Sequence, residues 1–331
     1  MYNNILTKII YSKSYDPWKN LALEEYLLET VKENEIILYL WQNDNTIVIG
    51  RNQNPWKECQ CKKFEGDKGK IARRLSGGGA VFHDIGNLNF TFIMDKKLYN
   101  LEKQLSVILK AVNNLGIDAK FSGRNDILVG ERKFSGNAFY ENLNSSYHHG
   151  TILVDANMDK LSKYLKVSKE KIISKGIDSI RSRVINLKAI KEDITIENLK
   201  DNLKNSFLDI YKGRSEIEYI EDQEVIKKLY EKYSSWEWRY GETPKFEINF
   251  VNRFKWGEID LNLNLKDGII DSIVIYSDAM NSILIKDIEC QLLNTPFNIK
   301  FISEKLENIN YKIDEKNIIF EIKKWLESKI G

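Results

Sequence analysis

Apolar and polar positions along the chain follow two rhythms, one near 3.6 residues and one of two, and these predict where helices and strands lie. A helix opens at Asp16-Pro17, with aspartate suited to the cap and proline to the first turn; Leu21, Leu23, Tyr26, Leu27 and Val31 give it a mostly apolar face. EIILYLWQ (35–42) and TIVIGRN (46–52) read as strands flanking Asn43-Asp44-Asn45, which predicts a hairpin turn. LNFTFIM (88–94) alternates as a strand, and NLEKQLSVILKAVNNLG (100–116) is an amphipathic helix stopped by Gly116. Short strands are expected in KFSGRNDILV (120–129), RKFSGNAFY (132–140) and HGTILVD (149–155), and helices at 196–212 and 223–234.

The pattern changes at SSWEWRYGETPKFE (234–247), where Gly241 and Pro244 read as a linker. Beyond it, residues 246–278 alternate in period two around Asp267-Gly268, a hairpin signal, and helical patterns continue to 318–330. Two domains are predicted, 1–245 and 246–331, the second a small, hinged α+β accessory unit.

Composition narrows the function. A chain of 331 residues is long for one core, and 42% hydrophobic with 30% charged residues describes a globular protein. A net charge of +2 gives no footprint for nucleic acid. No apolar run is long enough to span a bilayer, and MYNNILTKIIYSKSYDPW lacks the apolar core of a secretory signal. Three cysteines, Cys59, Cys61 and Cys290, cannot build a disulfide framework, so a cytoplasmic setting is expected.

Candidate chemistry begins at RRLSGGGAVFHD (73–84). Gly77, Gly78 and Gly79 offer a bare backbone, and Arg73 and Arg74 can fork onto phosphate or carboxylate. An anion-binding loop and a plain glycine turn with surface arginines explain these residues equally well. His83, His148 and His149 are the only histidines; the adjacent pair points to opposite faces of a strand and suits packing or hydrogen bonding better than metal binding. Cys59 and Cys61 read as free thiols on a polar segment, and Cys290 as packed in a helix of the tail. In SGRNDILVGERKFSGNAFY (122–140) a tight hairpin follows Gly130. Lys133 alternates there with Ser135, which predicts a polar face near the glycine loop and a compact charge suited to an anion.

RRLSGGGAVFHDIGNLNFTFI, GRNDILV, RKFSGNAF, YHHGTILVD and SKGIDSIRSRVINL occur in this order. Together they resemble the lipoate–protein ligase A family, as do SYDPWKNLALEEYLL, VIGRNQNPWKEC, SSWEWRYG and the alternating tail, so the resemblance covers nearly the whole chain. It favours the anion-binding reading of the glycine loop. It implies an α+β fold: a biotin/lipoate-ligase-like catalytic domain with mixed β-sheets flanked by helices, plus the C-terminal accessory domain. Carried over by motif, it assigns ATP and the acyl-adenylate to Arg74, Gly77, Gly78, Gly79, Ala80, Val81, Phe82 and Lys133. Lys133 would also be the catalytic contact to lipoate, with Gly79, His83 and His149 beside the substrate. Asp126 would help hold magnesium or fix Lys133, and SKGIDSIRSR (174–183) would close over the adenylate. The chain departs from some relatives in the short Gly-Glu-Arg connection before Lys133.

The activity implied is ATP-dependent. Lipoate attacks the α-phosphate, pyrophosphate leaves, and an acceptor lysine then displaces AMP. Expected cofactors are ATP and Mg2+, with lipoate as substrate in a tunnel lined by leucine, valine and phenylalanine. Expected acceptors are lipoyl domains of 2-oxoacid dehydrogenase complexes and the glycine-cleavage carrier protein. The alternatives are an octanoyl or lipoyl transferase using a cysteine thioester, although no cysteine lies between Cys61 and Cys290; a biotin ligase, whose arginine–glycine loop is replaced by RRLSGGG; and a non-catalytic lipoate-binding module.

Overall fold

The computed structural model describes residues 5–122, 126–165, 184–212, 214–218, 224–240, 248–266, 268–309, 312 and 315–330. The chain divides into two compact units: Met1–Ile49, Pro55–Arg74 and Ala80–Arg239 form the first, and Gly50–Asn54, Leu75–Gly79 and Tyr240–Gly331 the second.

The described strands of the first unit are β1 (Leu6–Tyr11), β2 (Glu35–Trp41), β3 (Thr46–Ile49), β4 (Lys70–Arg73), β5 (Val81–His83), β6 (Asn87–Asp95), β7 (Ala119–Ser122), β8 (Asp126–Val129), β9 (Arg132–Glu141), β10 (Ser145–Leu153) and β11 (Arg214–Glu218). Eight of them form one mixed sheet in the order β11-β1-β2-β6-β10-β9-β8-β7, and β4-β3-β5 form a second, smaller sheet. In the large sheet β11, β1 and β2 run parallel to one another, and every pairing from β2 to β7 is antiparallel.

β2 and β6 are buried along their whole length because both faces of the sheet are covered. On one face Ile36, Leu38, Leu40, Leu88, Phe90, Phe92, Met94 and Ile152 pack with apolar residues of the helices Leu101–Asn114 and Ile196–Tyr211. Each large side chain withdrawn from water there contributes roughly 1.5–3 kcal/mol. The alternating positions face the other way: Tyr39 and Trp41, Asn89 and Thr91, Tyr147, His149 and Thr151. The opposite face also buries Ile10, Ile37 and Ile93, but around Trp41, Thr91 and His149 it is aromatic and polar.

Local sequence fixes the helix ends. Asp16 Oδ1 accepts from the Trp18 amide at 3.1 Å ahead of the helix Pro17–Thr30. Asn100 caps Leu101–Asn114, and Gly116 follows with φ +84°. The hairpin expected around residues 43–45 does not form. Both edges of β2 are already occupied, by β1 and β6, and β3 pairs instead with β4 and β5. Asn43 is wholly buried, its side-chain Oδ1 accepting from Asn20 Nδ2 at 2.9 Å, so the connection is an anchored crossover.

In the second unit β12 (Ile248–Phe254), β13 (Gly257–Lys266) and β14 (Ile269–Ser277) form an antiparallel sheet, with Gly268 at φ +76° in the second turn. Ile259, Leu261, Leu263, Ile270 and Ile275 share a core with apolar residues of the helices Ser282–Leu292, Ile299–Glu307 and Lys316–Ile330. The chain is thus α+β, with mixed sheets and a C-terminal antiparallel sheet, as expected. Among the described residues no helix is long and apolar enough to cross a membrane.

Candidate active site

Lys133 reaches the polar face of the large sheet through a β-bulge. β8 and β9 pair Asp126 with Gly136, Ile127 with Ser135, and then Leu128 with Lys133, so Phe134 is the extra residue. Strict alternation would have put Lys133 with Ser135. The bulge moves it to the face shared by Asp126 and Gly136, while Phe134 and Ser135 are buried. Lys133 Nζ lies 2.7 Å from Asp126 Oδ1, and the two side chains are 37% and 43% exposed. The ammonium stem lies across Gly136, where a Cβ would sit 2.8 Å from Nζ and 2.9 Å from Cε. The Lys133 carbonyl accepts from the Ile185 amide at 2.9 Å, and its backbone bridges to Val184. The segment 174–183, expected to close over the adenylate, lies outside the described residues.

Across the same face runs a hydrogen-bonded chain that sequence reasoning missed. Trp41 Nε1 donates to Thr91 Oγ1 at 3.0 Å, and Thr91 donates to Glu24 Oε1 at 2.7 Å. His149 Nδ1 lies 2.9 Å from the same oxygen. Glu24 is only 2% exposed, on the helix Pro17–Thr30 whose other buried positions include Leu21, Leu23, Leu27 and Leu28. The one available signal was an acidic pair, Glu24-Glu25, inside an otherwise apolar helix. Glu25 is explained separately by its ion pair with Lys232 at 2.7 Å.

The two arginines divide their roles. Arg73 Nε and Nη2 donate to the carbonyls of Trp238 and Arg239, both at 2.9 Å, and Trp238 Nε1 returns a bond to the Arg73 carbonyl. Its fork holds the WEWR helix to β4. Arg74 is buried, with Nη1 3.3 Å from the Val48 carbonyl. Burial lowers its pKa to about 10 against the opposing pull of Tyr147 and Glu24, so it still brings a full positive charge to this region at neutral pH.

His83 and His149 belong to this region, while His148 points into the helix-covered core between Gln104 and Asn137, at 3.0 and 2.9 Å. The alternation argument about the adjacent pair therefore holds. The tautomer of His83 is set by its neighbours. Asn20 Nδ2 donates to the carbonyls of Gln42 and Ser14 and to Asn43 Oδ1. That turns the Asn43 Nδ2 toward His83 Nδ1, 3.2 Å away. Nδ1 accepts, so the ring proton sits on Nε2. Burial, then Arg74 and His149, push the His83 pKa down to about 3 and keep the ring neutral. β5, which carries Val81, Phe82 and His83, is the edge of its sheet, with β3 on one side only. Phe82 is buried against Phe64.

The glycine loop belongs to the second unit. Gly77 is bare because the Ala279 and Met280 carbonyl oxygens would lie 2.3 and 2.4 Å from a Cβ. Gly78 has φ +88° and donates to the Ala279 carbonyl at 3.1 Å. Gly79 has nothing within 4 Å of a Cβ, so its surroundings are open.

Among the described residues no group of three or more histidine, cysteine, aspartate or glutamate side chains could hold a metal ion. Asp126 is a single carboxylate. Cys59 and Cys61 are buried, not on a solvated segment: their Sγ atoms lie 3.5 Å apart, and each is 3.3 Å from the Pro55 carbonyl. Cys290 is exposed, not packed, because the buried stripe of its helix runs through Leu284, Ile285, Ile288 and Leu292.

Comparison with known proteins extends over nearly the whole chain. Residues 16–208 match the family of lipoyl protein ligase A/B catalytic domains, and residues 243–326 match the bacterial lipoate protein ligase C-terminus. The chain is 41% identical over 330 residues to a lipoate-protein ligase A of Psychrobacter cryohalolentis, covering 96% of this chain and 97% of that one. It is 39% identical over 332 residues to a lipoate-protein ligase A of Blochmanniella floridana, covering 98% of each. The crystal structure of P. falciparum LipL1 in complex with lipoate superposes with a TM-score of 0.87 at 34% identity, covering 97% of this chain and 99% of that one.

Proposed function

The chain belongs to the lipoate–protein ligase A family and is a lipoate ligase; we propose that it activates free lipoate as lipoyl-AMP, releasing pyrophosphate, and then passes the lipoyl group to a lysine of an acceptor protein. The observation that carries this reading is Lys133: a bulge turns it onto the polar face, a glycine leaves room for its stem, and Asp126 steadies its charge.

A free carboxylate is a poor acyl donor. Attack of a lipoate oxygen on the α-phosphate of ATP gathers negative charge on the phosphate oxygens. An ammonium held at that place offsets the charge without waiting for water to reorganise. The carboxylate end of lipoate lies at Lys133, where salt bridging also fixes its angle of attack. Lys133 exchanges Asp126 for these oxygens as substrate enters, since the pair is partly solvated and each partner is easily released. In the second step the same ammonium steadies the acyl carbonyl as the acceptor amine attacks, and AMP leaves with the anhydride electrons.

The nucleotide is assigned through the family resemblance to Arg74 and the run Gly77, Gly78, Gly79, Ala80, Val81 and Phe82. The open edge of β5 supports this, because it offers backbone donors and acceptors to a base. Magnesium arrives on the ATP phosphates and typically needs only one or two carboxylates. Asp126, partly exposed on this face, fits that need once Lys133 has let it go, and the ion would neutralise the departing pyrophosphate. The polar face with Glu24 and His149, and with His83 at its side, receives the rest of the lipoate. Acceptors are lipoyl domains of 2-oxoacid dehydrogenase complexes and the glycine-cleavage carrier protein.

The test is ligation to an isolated lipoyl domain, followed by the mass of the domain and by AMP release. One lipoyl amide should form per AMP, only with ATP, Mg2+ and lipoate present. Lipoylation from a thioester donor without ATP would sink the proposal.

A further inference from the structure

Cys59 and Cys61 take no part in the chemistry proposed above, yet their thiols are set face to face. Gln60, at φ −85° and ψ 66°, turns the chain from a β-bridge at Cys59, paired with Leu165, into the helix Cys61–Gly66. That turn brings the two Sγ atoms to 3.5 Å, both directed at the Pro55 carbonyl at 3.3 Å. The pair lies just beneath the surface. Cys59 and Cys61 are 1% and 5% exposed, but Gln60, Lys62 and Lys63 around them are exposed. The helix that follows has six residues and no side-chain cap, so local opening of this turn is easy.

The same turn is tied to the aromatic residues under β5. The Gln60 amide donates to the Tyr164 carbonyl at 3.0 Å, and Gln60 Nε2 donates to the Lys163 carbonyl at 2.8 Å. Phe64, one turn further along the helix and wholly buried, packs its ring on Tyr164 at 4.8 Å and against Phe82 at 6.2 Å. A shift at residues 59–61 therefore reaches Phe82 through one buried ring.

We propose that Cys59 and Cys61 form a redox-sensitive modification site, which a hydroperoxide closes to an internal disulfide, and that closure weakens ATP binding through Phe64 and Phe82. Cys61, the less buried thiol, takes the terminal oxygen of the hydroperoxide and becomes a sulfenic acid, and the alcohol or water leaves. Cys59 sulfur then attacks the sulfenic sulfur; the S–S bond forms and water departs with the hydroxyl. The two thiols lose two electrons and two protons, and the hydroperoxide is reduced by the same two electrons. A resolving thiol already at 3.5 Å favours the disulfide over further oxidation. Bond formation draws the sulfurs about 1.5 Å nearer and ends both S–H contacts to Pro55, so the turn must move. The effect on ATP rests on the reading that places the nucleotide at Val81 and Phe82.

The experiment treats full-length Cys290→Ser enzyme, whose remaining thiols are this pair, with hydrogen peroxide. The peptide containing residues 59–61 should lose two hydrogens in mass, both thiols should resist alkylation after unfolding, and dithiothreitol should restore both. KM for ATP in lipoate-dependent pyrophosphate exchange should rise roughly fivefold on oxidation and return on reduction. Adding Cys59→Ser or Cys61→Ser removes one partner, and either folded variant should keep its KM for ATP through peroxide followed by dithiothreitol. Thiols left unreacted, a peptide that only gains oxygen, or a disulfide that leaves KM for ATP unmoved overturns the inference. Absence of exchange in the reduced enzyme would overturn instead the adenylation reading on which the effect on ATP stands.

Discussion

A methyl group on Gly136 is the smallest change that should move Lys133 without altering it. The added Cβ would lie 2.8 Å from Nζ and 2.9 Å from Cε. Unstrained contacts between such atoms begin near 3.5 Å, so the ammonium must shift by about 0.5–1 Å. Little resists that shift, since the obstacle is the far end of a flexible side chain. Gly136 is not among the positive-φ glycines, so alanine suits its backbone and removes the entropic disadvantage of glycine in a strand, about 0.5–1 kcal/mol. Weakening the half-exposed Lys133–Asp126 pair costs about 0–1 kcal/mol in return. Stability should therefore stay within about 1 kcal/mol of wild type. Catalysis should not: misplacing a catalytic group by about 1 Å costs up to about 10²-fold. Single-turnover lipoyl-AMP formation, with thermal melts alongside, measures both. The loss should vanish when Gly136→Ala is added to Lys133→Met, because no ammonium is left to displace. A wild-type rate for Gly136→Ala, or the same fold loss in the Lys133→Met background, would refute the idea that Gly136 acts by seating Lys133.

Replacing Cys59, Cys61 and Cys290 together by serine should preserve both adenylation and transfer, with a lower melting temperature because two of the three are buried; loss of both steps in a protein that still melts cooperatively would favour a thioester mechanism. His83 and His148 both have pKa values lowered to about 3, chiefly by burial. Below pH about 6.5 the unfolded chain takes up protons at these rings that the folded protein refuses, so these two sites make stability fall with pH from about 6.5 toward 3 and contribute nothing to the slope above it. Urea midpoints across that range check this, and His148→Leu should lessen the slope by up to one proton; an unchanged slope would show that the ring titrates in the folded state.

Sequence pattern was informative wherever local chemistry decides. The Asp16 and Asn100 caps, the stop at Gly116 and the hairpin after Gly130 depend on neighbouring residues and appear as expected. It failed where distant partners decide. Nothing near Asn43 reveals that both edges of β2 will be taken, so a crossover looked like a hairpin. The bulge at Phe134 is equally silent. Alternation pairs Lys133 with Ser135, and the bulge puts it instead on the face of Asp126 and Gly136. Glu24 escaped notice because its partners, Thr91 and His149, are 67 and 125 residues away. Arg73 and Arg74 are adjacent and chemically identical, and only the arrival of Trp238 and Arg239 separates a structural bolt from a buried charge near Glu24.

The central claim is adenylate chemistry at Lys133, and lipoate-dependent exchange of labelled pyrophosphate into ATP reports it without any acceptor protein. Wild-type enzyme should catalyse exchange only when lipoate and Mg2+ are present. Folded Lys133→Met should lose it by about 10²–10³-fold, the usual cost of removing one well-placed electrostatic donor. No lipoate-dependent exchange in the wild type, or exchange by Lys133→Met at the wild-type rate, would contradict the account.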